Sequence, residues 1–217
     1  MPRGSVIGPL VICGVLATDE QEKKLKKIGV KDSKLLTPKK REELSKKIEE
    51  IVTHTIILRI PAHRIDSSRK NGINLNQLEA IKMAEIINIG NPNKVFLDAP
   101  SYNTEKFKNY LLTMLENKNI EIIAENYADK KYPIVSAASI MAKVDRDEQI
   151  KKLEEEIGEP IGVGYPHDEL TIKHIEKIVK EGKKIPLYVR TTWDTTKQII
   201  KKNQQKGLSG FIKKIKN

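Results

Sequence analysis

One cysteine, Cys13, stands among 217 residues, which excludes an internal disulfide and fits a reducing compartment. It lies in an apolar run and reads as a small core residue rather than a reactive thiol. No apolar stretch approaches the roughly 18 residues of a membrane-crossing helix, and the first residues carry no secretory signal. Both features point to a soluble, cytoplasmic protein with no membrane association. The four histidines, His54, His63, His167 and His174, show no metal-ligand spacing and read as ordinary surface or core residues. Acid is in deficit, with 29 Asp and Glu against 40 Lys and Arg and a formal net charge of +11. Such an excess favours polyanionic partners through phosphate neutralisation and counterion release, without naming one.

With 38% hydrophobic residues the chain can bury one sizeable core. The expectation is a single domain over 1–200 and a basic tail over 201–217. Residues 6–18 are dominated by Val, Ile and Leu and predict a buried strand, bent near its start by Gly8 and Pro9. A charged connector follows. Thr37 and Pro38 then open a helix as N-cap and first-turn proline, with Leu44, Ile48 and Ile51 at helical spacing. Residues 55–61 predict a strand ended by proline, and Asn74 to Gln77 a capping box opening a helix that runs to Gly90. Thr104 is expected to cap a later helix, and a long Ala-rich helix is expected from Pro133. Lys143, Asp145, Arg146 and Asp147 on it are explained by i,i+4 pairing on a solvated face. Further helices are expected from Asp168 to Gly182 and from about Thr191.

Two short apolar runs carry the chemistry. KVFLDAP at 94–100 ends abruptly at Asp98, and residues 120–124 end a few positions before Asp129. Read as two strands, each offers one acid in the crevice beyond its C-terminal end, where the pair suits a hard divalent cation. The competing reading is that each aspartate merely caps the element after it.

The wording of these segments resembles ribonuclease HII, most closely its archaeal branch. The resemblance runs from Arg3-Gly4 and VIGPLVICGV at 6–15, through Lys31-Asp32-Ser33-Lys34-Leu35 and Leu75-Asn76-Gln77-Leu78-Glu79, to LDAP at 97–100. It continues in ADKKYPIVSAASIMAKVDRD at 128–147, Gly164-Tyr165-Pro166 and Arg190-Thr191-Thr192-Trp193. It implies an α/β fold, a ribonuclease H-like mixed sheet flanked by helices, and a C-terminal helical region. It also implies a metal-dependent endonuclease using Mg²⁺ or Mn²⁺ on RNA–DNA hybrids or on duplex DNA with an embedded ribonucleotide. Asp98 and Asp129 would be catalytic metal ligands in a two-metal reaction that cuts 5′ to the ribonucleotide and leaves 3′-hydroxyl and 5′-phosphate. Arg3 and Gly4 would approach the ribose 2′-OH, and Tyr165 the junction with the next deoxynucleotide. Lys31, Ser33 and Lys34 would lie near phosphates, although a solvated loop explains them equally. The family's quartet is Asp, Glu, Asp, Asp. Its first two acids lie on a strand before the turn matched by Arg3-Gly4, and neither is present in this sequence. A hybrid-binding protein that does not cut, and another two-metal nuclease or recombinase of the same fold, are therefore the rival readings.

In the tail, Gln205, Leu208, Phe211 and Ile212 resemble the peptide that docks on replication sliding clamps. Leu208 and Phe211 would share one face of a helical turn while Gln205 supplies a polar latch. A mobile tail that binds phosphates without specificity is the alternative.

Overall fold

The structure, a computed structural model, describes residues 3–30 and 36–215, except the side chains of 206–215. Contacts divide it into two compact units. One is built from Val11–Arg59 and Gly72–Arg146, the other from Arg3–Leu10, Ile60–Asn71 and the chain from Asp147 onward.

In the first unit, strand β1 (Leu10–Leu16) is followed by helices α1 (Asp19–Lys27) and α2 (Pro38–Ile51) and then by β2 (His54–Ile60), which pairs with β1. The charged connector is thus partly helix. Thr18 accepts from the Gln21 amide and Gln21 returns the bond to the Thr18 amide, a capping box hidden in a run of charge. Thr37 caps α2 as expected. Helix α4 (Leu75–Gly90) leads to β3 (Lys94–Asp98), then α5 (Thr104–Leu112), β4 (Glu121–Glu125), the short α6 (Ala128–Lys131) and α7 (Pro133–Ile157). Asn103, not Thr104, caps α5, because its side chain accepts from the Lys106 amide.

Opposite faces of β1 meet different helices. Cys13 and Val15 pack on a buried cluster of Leu25, Leu44, Ile48, Ala137, Ile140 and Met141, drawn from α1, α2 and α7. Gly14 points the other way, into α4; a Cβ there would lie 2.3 Å from Ile86 Cγ2, so only glycine fits. The α/β class is as expected, but the sheet is in two pieces. β1 pairs with β2, and β3 pairs in parallel with β4, Asp98 opposite Glu125.

In the second unit, α3 (Ala62–Lys70), α8 (Glu169–Lys180) and α9 (Asp194–Ile215) join the far end of α7. Its core holds Val6, Ile7, Ile150, Ile161, Ile175 and Val189. α9 continues to Ile215, so the tail backbone is helical rather than an irregular extension. Lys and Gln are good helix formers, and the propensity cost of Gly207 and Gly210, about 1 kcal/mol each, does not end the helix.

Candidate active site

Asp98 is the last residue of β3, and the loop after it is fastened to the end of β4. The Ala99 amide donates to Glu125 O at 2.9 Å, and Asn126 Nδ2 donates to Ala99 O and Ser101 O, each at 2.8 Å. The chain then turns sharply. Tyr127 adopts φ 59°, ψ 32°, a left-handed conformation costing a tyrosine about 1–2 kcal/mol. The turn aims the first amide of α6 backwards, so that Ala128 N–H donates to Asp98 Oδ1 at 3.2 Å. Asp129 follows at once and is only 4% exposed. This contact is made one residue before Asp129, so both aspartates that the sequence singled out lie at the β3–α6 junction. Asp129 reaches it from a helix rather than from a strand end. Asp98 does not cap the element after it, since Asn103 caps α5; it accepts instead from an amide thirty positions further on.

A third acid nearby is already committed. Glu125 accepts from Lys131 Nζ at 2.8 and 2.9 Å and from Tyr132 OH at 3.0 Å, and these bonds, Lys131's first, hold its carboxyl below the usual range. Among the described residues, no group of three or more His, Cys, Asp or Glu side chains is placed to hold a metal ion. Asp98 and Asp129 still fit one hard cation by donor chemistry. Mg²⁺ is commonly held by one or two carboxylates, with water and substrate phosphate completing its shell.

On α7, Asp145 corrects the solvated-face expectation. It is 5% exposed, and Arg59 Nε donates to both its oxygens at 3.0 and 2.9 Å. Arg146, 2% exposed, is buried as well. Burial first, then the Asp145 charge, pushes the Cys13 thiol far above its ordinary value, consistent with an inert core cysteine.

In the second unit, three of the quoted motifs converge. The Val6 and Ile7 amides both donate to Gly164 O, at 2.8 and 3.2 Å, which ties the segment after Arg3-Gly4 to the Tyr165 loop. Arg190 is fully buried and donates to three carbonyls of the same segment: Arg3 O at 3.0 Å, Gly8 O at 3.2 Å and Pro9 O at 2.8 Å. Its guanidinium stacks on Trp193, 4.9 Å from the ring centroid. Asp66 accepts the amides and hydroxyls of both Thr191 and Thr192, between 2.6 and 3.1 Å. Burial works to raise its carboxyl, but these four bonds prevail and the net shift is downward.

The Tyr165 loop is wired from below. Asp168 accepts from the Val163 amide at 2.5 Å and from Thr171 Oγ1 at 3.1 Å, while the Gly164 amide donates to Thr171 Oγ1 at 2.9 Å. Tyr165, half-buried, stacks on His167 with centroids 5.5 Å apart. Gly4 is exposed, and a Cβ there would meet nothing within 4 Å, so packing does not demand glycine. His174 is a core residue, 3.0 Å from Glu159 Oε1 and 3.0 Å from Tyr188 OH.

Lys31, Ser33 and Lys34 lie outside the described residues, as do the side chains of Leu208, Phe211 and Ile212; Gln205 is exposed on α9. Sequence reasoning passed over Asn126, and quoted Arg190 within a motif without giving it a role. An asparagine straight after a strand is a turn signal, and it was readable. Nothing local to Arg190 announces partners more than 180 positions away.

Residues 2–196 match the family model for ribonuclease HII. The chain belongs to the ribonuclease HII family. The ribonuclease HII of Methanosphaera stadtmanae is 44% identical over 202 residues, covering 93% of this chain and 92% of that protein. The crystal structure of ribonuclease H2 from Pyrococcus horikoshii superposes with a TM-score of 0.85 at 38% identity, covering 94% of this chain and 95% of that one. The ribonuclease HII in a PCNA complex from Archaeoglobus fulgidus gives a TM-score of 0.82 at 36% identity, covering 92% and 93%. The fold is thus ribonuclease H-like, and the resemblance carried by the motifs is a family relationship.

Proposed function

We propose that this ribonuclease HII family member is a divalent-metal-dependent endonuclease. It hydrolyses the RNA strand of RNA–DNA hybrids and nicks duplex DNA 5′ to an embedded ribonucleotide, leaving 3′-hydroxyl and 5′-phosphate. The observation that supports the proposal is the Ala128 N–H to Asp98 contact of 3.2 Å, made one residue before Asp129. These two carboxylates hold the cation, Mg²⁺ or Mn²⁺. When bound, the metal activates water and offsets charge on the leaving oxygen. Asp98 is oriented by the Ala128 amide, and Asn126 fixes the loop behind it. Arg3 and Gly4 approach the ribose 2′-OH, the group that separates RNA from DNA; close approach is the remaining physical reason for glycine at position 4. Tyr165 stacks at the adjoining nucleotide, and Lys31, Ser33 and Lys34 meet phosphates.

A second reading is favoured by one observation: among the described residues no third carboxylate joins the pair. The protein would then bind ribonucleotide-containing duplex without cutting it. A nicking assay on a duplex with one ribonucleotide, with Mg²⁺ or millimolar Mn²⁺, separates the two. Cutting that disappears in Asp98→Asn supports the nuclease. Binding without cutting supports the second reading, and neither binding nor cutting refutes both. The exposed Gln205 and the α9 segment through Ile212 are the proposed dock for a replication sliding clamp. Truncation after residue 200 should abolish retention on immobilised clamp; unchanged retention would refute it.

A further inference from the structure

Two tyrosines of the first unit are exposed where neither burial nor helix capping gives a reason for an aromatic ring. Tyr102 is 100% exposed and stands just before Asn103, the N-cap of α5. An apolar residue at that position ordinarily packs against the fourth residue of the helix, here Phe107, but Phe107 is buried without it. Tyr127 is 62% exposed and is held at φ 59°, a left-handed position that glycine or asparagine fills at less cost. Backbone strain kept for an exposed side chain points to a use for that side chain.

One side chain ties the two positions together. Asn126 Nδ2 donates to Ser101 O at 2.8 Å, and Ser101 and Asn126 each directly precede one of the tyrosines. Both tyrosines also border the acids, since Tyr102 follows Asp98 by four positions and Tyr127 precedes Asp129 by two. A cation completes the group. The Lys130 ammonium lies 5.4 Å from the Tyr127 ring centroid, and Lys130 is exposed. The charge of Glu125, which precedes this turn, is offset by Lys131, so it presents little repulsion to a phosphate arriving at Lys130.

We propose that Tyr102 and Tyr127, with Lys130, form a stacking platform for unpaired nucleotides that adjoin the duplex at the cutting site. The inference deepens the nuclease reading and rests on it for the class of ligand. Inside a duplex each base face is covered by its neighbours, so an exposed tyrosine ring finds a free face only on a nucleotide outside the paired region. Lys130 supplies a cation for the phosphate of a base stacked on Tyr127, and the net charge of +11 draws the strand in. A protein partner fits the patch less well, because two tyrosines and a lysine fall far short of the roughly 800 Å² that each partner buries in a stable complex. The ligand is accordingly a duplex with a single-stranded extension, held by its base faces without regard to sequence.

The test measures binding of the full chain to a duplex with one ribonucleotide, without divalent metal so that the probe is not cut. The duplex is blunt or carries about eight unpaired thymidines on its 5′ or its 3′ side. One of the extended duplexes should bind at least about fivefold more tightly than the blunt one, the lower limit for a single stacked base. An abasic extension of the same length keeps the phosphates and loses the base faces, so it should lose most of the gain. Tyr102→Ala, which has no packing to forfeit, should reduce the gain. Combined with Tyr127→Asn, which suits the left-handed turn, it should remove the gain and leave affinity for the blunt duplex unchanged. Tyr102→Phe with Tyr127→Phe should keep it. A gain that survives loss of both rings, or that the abasic extension reproduces in full, would overturn the proposal. Self-association of the parent that disappears with the rings would overturn it too, by assigning them to a protein contact. If the blunt duplex is bound and neither extension adds anything, the platform alone fails; if no duplex is bound, the nuclease reading fails with it.

Discussion

Replacing Arg190 with lysine keeps the charge and removes the fork. The parent guanidinium donates to three carbonyls, Arg3 O, Gly8 O and Pro9 O, at 3.0, 3.2 and 2.8 Å. Hydrogen bonds from a charged donor contribute about 1.5–3 kcal/mol each. A lysine ammonium on its flexible stem can satisfy one of the three and gives up the flat stacking on Trp193. Loss of two bonds corresponds to about 3–6 kcal/mol, a large share of the roughly 5–15 kcal/mol that holds a domain folded. For a chain of this length that is a fall of about 6–24 °C in melting temperature. Thermal melts followed by circular dichroism measure it. Affinity for a ribonucleotide-containing duplex should fall too, because Val6 and Ile7 link the same segment to the Tyr165 loop through Gly164 O. The formal net charge stays at +11, so the weakening cannot be ascribed to lost long-range attraction. A melting temperature within about 2 °C of the parent, together with unchanged duplex affinity, would refute the assignment of Arg190 as the anchor of this segment.

Two further substitutions probe the same unit. Asp66 has a lowered folded-state pKa, so its contribution is complete above the ordinary aspartate value and fades as pH falls through the lowered one. The gap in melting temperature between parent and Asp66→Asn should be steady from pH 7 to 5 and shrink below about pH 4; a gap that persists to pH 2 would sink the idea. Gly162→Ala places a methyl 2.1 Å from Asp168 Oδ2 at φ +74°, so it should lower the melting temperature and loosen duplex binding through the Tyr165 loop. Unaltered duplex affinity in a folded variant would mean that the loop geometry does not matter for binding.

Much of this arrangement could be read from short spans of sequence. The caps at Thr37 and Asn74, the strand ending at Asp98 and the long helix from Pro133 all announce themselves within four or five residues. What was missed depends on distance or on weak punctuation. α3 begins after Pro61 with no side-chain cap, so nothing marks its start. Asp145 looks like one of many charges on a helix until Arg59, 86 positions earlier, closes on it. Asp129 was placed at a strand end because the left-handed turn at Tyr127, which feeds a four-residue helix, has no glycine to signal it. The division of the sheet was equally hidden, since a strand's sequence does not say how many neighbours it has.

The Arg190 contacts also set an order of assembly. Arg3 and its anchor are separated by 187 positions, and at about 5–20 residues per second the ribosome takes some ten to forty seconds to cross that interval. The Arg3 turn is thus fastened long after it is made. Nascent chains, whatever else has folded, carry the Arg3 segment loose until Arg190 has emerged to hold it.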